Sequence, residues 1–255
     1  MRSLPRVVVK IASPSELFPN MHYFLNPPDG KWDWSGKILS CYPAMEKKLA
    51  GVSSNKEREI IERAFFSSIL KTKSKQFLKK QKRFQKAWNK INHPVMRALE
   101  VVVECEWPAT DKIFTAYMTP NPICPRWLKE RKFHIYYRKK ISNMKATVVH
   151  EIHHFIYFEK WKQLFPDWKW KEFETPHLVW KLSEMVPGIV LNGARIQKYV
   201  KWKHHAYKEF ERISIHGKPL MSYLQKYYDE RKDFEDFLKK SWKFVQKNEK
   251  IIKGV

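Results

Sequence analysis

The run Thr147-Val148-Val149-His150-Glu151-Ile152-His153-His154-Phe155-Ile156 constrains this chain more than any other stretch. It is free of proline, apolar at Val148, Val149, Ile152, Phe155 and Ile156, and periodic, so it reads as a buried helix. The helical pattern extends from Asn143 to Leu164, with Ser142 or Asn143 as N-cap and Phe165-Pro166 as the stop. Residues four apart on a helix stand one above the other, so the imidazoles of His150 and His154 can grip one metal ion from one face. Glu151 lies one step round from the first, close enough to take a proton from a water on that ion. Neutral imidazoles suit Zn²⁺, and two of them with a third ligand leave a tetrahedral position for water, which is a hydrolytic arrangement.

The rest of the chain predicts an α+β fold. Residues 1–54 mix short apolar runs with turn signals such as Asn26-Pro27-Pro28-Asp29-Gly30 and suggest irregular structure with one short strand at Val7 to Ile11. Two amphipathic helices follow between Ser54 and Ile91, one with Ile60, Ile61, Ala64 and Phe65 as its stripe, the other with Phe77, Phe84, Trp88 and Ile91. Leu99 to Trp107 is β-branched and alternates with Glu100, Glu104 and Glu106. With the turn Pro108 to Asp111 and the run Lys112 to Thr119 it reads as a hairpin. A proline-punctuated loop, Pro120 to Pro125, leads to a third strand, Phe133 to Arg138. After Leu164 a helix opens at Pro176 and ends or kinks at Pro187-Gly188, and a long helix is expected between Ser214 and Lys250. The expected architecture is a small antiparallel or mixed sheet packed on the helix that carries the histidines. A helical N-terminal extension would span 1–94 and a catalytic domain 95–255, divided into sheet and metal helix over 95–166 and a helical subdomain over 167–255.

The five-residue pattern His150-Glu151-x-x-His154 on a helix after a small sheet resembles the zincin metallopeptidases, over roughly residues 97 to 190. The resemblance implies a zinc-dependent peptidase with Glu151 as general base, acting on a peptide or protein. Two residues are candidates for the third ligand, His177 and Glu184, seven apart and so on one helix face. Glu184, 30 residues after His154, looks like the gluzincin pattern. His177, 23 residues after His154, would look more like the SprT-like proteases, which act on proteins crosslinked to DNA. Glu184 is favoured because it lies mid-helix among apolar neighbours, where an unpaired carboxylate is costly and a metal would relieve that cost. His177, in the first turn, is freer to stabilise an oxyanion. The best-known gluzincins carry an Asp four residues after the ligand Glu, and here that position is Gly188. His153 is turned away from the ligand face and is expected to pack. His204, His205 and Tyr207 stand where such enzymes often place an oxyanion-stabilising group, although composition favours a solvated His204-His205 pair.

Fifty Lys and Arg against 26 Asp and Glu leave a formal charge of +24, which favours a phosphate-rich or otherwise acidic partner. Nine of those cations fall between Lys71 and Lys90 with no acid among them, on a face that is either simply solvated or a contact for nucleic acid, an acidic membrane or another polyanion. Cys41, Cys105 and Cys124 are an odd number at spacings that fit neither a disulfide framework nor a metal knuckle, so a reducing, cytoplasmic setting is expected. No stretch is apolar enough for a membrane span. The strand Phe133 to Arg138 enters the metal helix after a short connection, and by the same resemblance it would be a sheet edge that takes an extended peptide. His134, Ile135 and Tyr136 are its candidate substrate-binding residues.

Overall fold

The computed structural model describes residues 3–28 and 33–254. The expected turn at Asn26 to Gly30 lies partly outside them. The chain begins with β1 (Arg6–Ile11), followed by α1 (Pro14–Leu25), α2 (Ser35–Cys41), α3 (Pro43–Leu49), α4 (Asn55–Thr72), α5 (Ser74–Asn89) and α6 (Asn92–Val103). Strands β2 (Ile113–Thr119), β3 (Arg126–Trp127) and β4 (Lys132–Tyr136) then lead into α7 (Ile141–Leu164). The remainder is α8 (Leu178–Met185), α9 (Pro187–Val190), α10 (Ala194–Val200), α11 (Lys208–Arg212), the hairpin β5 (Ser214–Ile215) and β6 (Lys218–Pro219), α12 (Leu220–Asp229), α13 (Phe234–Lys247) and α14 (Glu249–Lys253). This is an α+β protein with a small mixed sheet and a helical C-terminal part.

Two compact units divide the chain differently from the expected split at 94/95. One holds 6–90 and 113–148, the other 1–5, 91–112 and 149–255, and the division falls inside α7. The first ninety residues are therefore no appendage. They supply β1, which pairs parallel to β2 from Arg6↔Ile113 to Ile11↔Met118.

In the first unit the sheet order is β1-β2-β4-β3. Phe114, Ala116, Met118, Phe133 and Ile135 have no exposed surface, and Phe77 of α5 stacks on Tyr137 at 4.3 Å. The outer edge of β1 is closed by α5. Gln85 accepts from the Val9 N–H through Oε1 (2.7 Å) and donates to the Val7 carbonyl (3.1 Å), while Gln81 donates to the Val9 carbonyl (2.7 Å). Two amides thus stand in for a missing strand and satisfy groups that would otherwise invite another chain.

Three sequence expectations need correction here. The expected hairpin does not form, because Leu99 to Val103 belongs to α6 and β2 pairs parallel with β1 and β4. Val95, Met96, Leu99 and Val103 repeat at helical spacing and are all buried, and that packed face overrides the β preference of the valines. Residues 1–54 also hold three helices rather than irregular chain; in α1, Leu17, Phe18, Met21 and Leu25 form the buried face. Finally, β4 is not an edge. β2 flanks it on one side, and β3 pairs on the other through Arg126↔Phe133 and Trp127↔Lys132, with the His134 N–H donating to the Pro125 carbonyl at 2.9 Å. His134 and Ile135 are fully buried and Tyr136 nearly so. The proline-rich loop folds back over the strand and consumes the donor a substrate would need, so a substrate-binding role for His134, Ile135 and Tyr136 is withdrawn.

In the second unit aromatic side chains build the core. Phe158 of α7 stacks on Phe173 at 4.2 Å, and Trp161 meets Trp242 of α13 edge-on at 5.1 Å. All eight residues of α8 are buried. The single long helix expected after Ser214 is interrupted: His216 and Gly217 both take positive φ (48° and 76°), the two-residue hairpin turn that joins β5 to β6, and Asp233 starts α13 by accepting from the Asp236 N–H (2.7 Å).

Candidate metal centre

α7 is buried on every side from Glu151 to Phe158, as its apolar composition requires. His150 and His154 sit one turn apart on it. His154 has no exposed side-chain surface, whereas 22% of the His150 side chain reaches solvent, which makes His150 the open side of the site. Glu184 comes from α8 and is 2% exposed. The three converge. His154 Nε2 lies 3.0 Å from His150 Nε2, Glu184 Oε2 lies 3.3 Å from His150 Nε2, and it lies 3.6 Å from His154 Nε2.

Those distances test the fit to zinc directly. Ligand atoms about 2.0–2.1 Å from a tetrahedral centre stand about 3.3–3.4 Å apart, and the three observed separations bracket that value. Two imidazole nitrogens and a carboxylate oxygen are also donors of the right chemistry. Among the described residues this is the only group of three or more His, Cys, Asp or Glu side chains placed to share an ion. His177 is outside it; it is the N-cap residue of α8 and half-buried. Glu151 is 5% exposed and adjoins the first ligand on the same helix. His153 stays out of the donor group as expected. Burial, and then His154, His150 and His204, hold its imidazole well below the usual range, and its ring packs 5.8 Å from that of Tyr157.

Sequence reasoning missed how His204 is held. His204 is 5% exposed, not solvated, and its ring lies nearly parallel to that of His150 with centroids 6.4 Å apart. Burial, followed by His150 and His205, pushes its pKa down to about 3, so it is a neutral imidazole. Its neighbour His205 is the exposed member of the pair and meets Glu211 at 3.1 Å. Asn192 clamps the His204 backbone, accepting from its N–H (2.8 Å) and donating to its carbonyl (2.9 Å), and also donates to the Gly188 carbonyl (2.6 Å). Gly188 eases the close passage of this segment. A Cβ on it would stand 3.1 Å from the Ala206 backbone nitrogen and 3.4 Å from the His205 carbonyl carbon.

No family model, curated protein or solved structure matches the chain. No helix among the described residues is long and apolar enough to cross a membrane.

Proposed function

We propose that the protein is a zinc-dependent metallopeptidase of gluzincin type that hydrolyses peptide bonds in a peptide or protein substrate. The observation that carries this reading is the triangle of His150 Nε2, His154 Nε2 and Glu184 Oε2, with sides of 3.0, 3.3 and 3.6 Å, beside a buried carboxylate. Zinc held by these three residues would polarise the scissile carbonyl and acidify water. Glu151, next to His150 on the same helix, takes the proton of the attacking water and returns it to the leaving amine. His204 lies beside His150 as a neutral imidazole and has an N–H to offer the developing oxyanion. Burial fixes the rotamers of His154 and Glu184, while His150, 22% exposed, leaves one side of the donor set open to water and substrate.

The test uses protein purified without a histidine tag. Zinc measured by plasma mass spectrometry is expected at one equivalent in the parent and in Glu151→Gln, and to be lost in Glu184→Ala. Glu151→Gln should cleave a casein-type substrate about 10²- to 10⁴-fold more slowly. Parent protein that binds no zinc, or Glu151→Gln at parental rate, would overturn the assignment.

A further inference from the structure

We infer that the outward face of α5 binds the phosphodiester backbone of a nucleic acid, without reading base sequence. This surface lies in the first compact unit and is independent of the peptidase reading. From Lys75 to Lys90 the chain carries seven Lys or Arg and no acid. Lys75, Lys79, Lys82, Arg83, Lys86 and Lys90 are exposed. Among the described residues none of them has an acidic side chain within ion-pair distance. Elsewhere exposed cations are paired one helical turn away, as in Arg63–Glu59, Lys239–Glu235, Lys240–Asp236 and Lys253–Glu249.

This pattern opposes helix stability. Lys75/Lys79, Lys79/Arg83, Lys82/Lys86 and Lys86/Lys90 are like charges four apart, each unfavourable by a few tenths of a kcal/mol, about 0.2–0.5. A face that needed only to be wet would gain from an occasional Glu. Packing holds the helix against the repulsion and fixes its rotation. Phe77, Phe84 and Trp88 are buried at 0–1% exposure, and Gln81 and Gln85 are tied to the β1 backbone. The cations are thereby displayed in a defined row. Lys82, Lys86 and Lys90 are spaced about 6 Å apart along the axis at 1.5 Å per residue. With Gln81, Gln85 and Asn89 they line an open groove of about 460 Å³.

The chemistry of the face selects the partner. An anionic membrane would take an amphipathic helix through its apolar side, but that side of α5 is spent on the core, leaving Leu78 as its one large exposed apolar residue. An acidic protein partner would be expected to meet aromatic or aliphatic anchors, and this face presents none besides Leu78. A row of unpaired lysines fits a linear array of phosphates, which binds by releasing condensed counterions.

The experiment measures binding of full-length protein to a 20-base-pair duplex and to a single-stranded oligonucleotide by fluorescence anisotropy between 50 and 200 mM salt. The variant replaces Lys79, Lys82, Arg83 and Lys86 with Gln. The control replaces Lys47, Lys48, Lys243 and Lys247 with Gln, which removes the same formal charge from exposed positions elsewhere. If all four α5 residues contact phosphates, the slope of log K against log salt on duplex falls by about 3.6, at about 0.9 per contact, while the control keeps the parental slope. The double variant Lys79→Gln/Lys86→Gln should show about half that change, and it carries the test if the fourfold variant does not fold. Absence of binding by the parent, equal loss in the control, or an unchanged slope in the α5 variants would overturn the proposal. So would tighter binding to phosphatidylglycerol vesicles than to either oligonucleotide.

Discussion

Replacing Asn192 with Ala separates the proposed metal ligands from the imidazole that stands beside them. The side chain makes three hydrogen bonds, to the Gly188 carbonyl (2.6 Å) and to both backbone groups of His204 (2.9 and 2.8 Å). At a net 0.5–1.5 kcal/mol each, partly replaced by water because Asn192 is only half-buried, the loss should be about 2 kcal/mol. For a chain of this size that lowers Tm by about 4–8 °C. The proposed ligands His150, His154 and Glu184 sit on α7 and α8 and touch none of these bonds, so zinc stoichiometry should not change. The His204 imidazole, no longer held at both backbone ends, should lose its position. Since an oxyanion donor acts in the transition state, kcat should fall while KM changes little. Asn192→Asp keeps an acceptor for the His204 N–H but turns a carboxylate oxygen onto the Gly188 and His204 carbonyl oxygens in place of the donor, so it should be at least as destabilised as Asn192→Ala. The assay combines differential scanning fluorimetry, metal analysis and initial rates on a fluorogenic peptide. Loss of zinc in parallel with activity, or full activity at lowered Tm, would refute the clamp argument.

Two further outcomes are expected. Gln85→Ala deletes the bonds to Val9 N–H and Val7 carbonyl, which should cost about 1–2 kcal/mol and speed hydrogen exchange at β1; unchanged protection of Val7 to Ile11 would show that the amides do not close that edge. Stability should fall in acid through the pair His134 and Glu16, whose Nε2 and Oε1 lie 3.2 Å apart. Burial holds the His134 imidazole below its ordinary 6.5, so below that pH the unfolded chain takes up a proton that the folded chain refuses. Glu16 is depressed chiefly by its bond to His134 and further by Lys132, against burial, so its contribution is full above the ordinary 4.5 and is lost as pH falls through the lower folded value. Both signs agree: Tm should drop from about pH 6.5 downward, and His134→Gln should make the first part of that drop shallower, whereas an identical profile would exclude His134.

Local pattern was legible in α5 and α7. The stripe Phe77, Phe84, Trp88 located α5, and the apolar run around His150 located α7. Pairing was not legible. β1 and β2 are neighbours across about a hundred residues, and nothing in either strand encodes the other. β4 lost its expected edge position to the two-residue β3, too short to carry a period. In α6 the misreading came from starting at Leu99, where the valines dominate, rather than at Asn92. From Asn92 the helical spacing of Val95, Met96, Leu99 and Val103 outweighs them.

At the candidate site the three side chains that converge were legible from their spacing, while the supports around them were not, because backbone proximity leaves little trace in sequence. Gly188 shows the difference. Against the gluzincin resemblance it reads only as a missing Asp. In the fold it is the residue over which the chain at His205 and Ala206 passes, close enough that any side chain would press on backbone at 3.1 Å. An Asp there would push on that backbone, which would have to give by a few tenths of an ångström. The passage brings His204 against His150, and Asn192, four residues after Gly188, ties the two segments together by bonding to both backbones. The glycine therefore eases the passage that sets a buried imidazole beside His150, where the resemblance led one to expect a carboxylate. The sequence displayed that passage only as an absence.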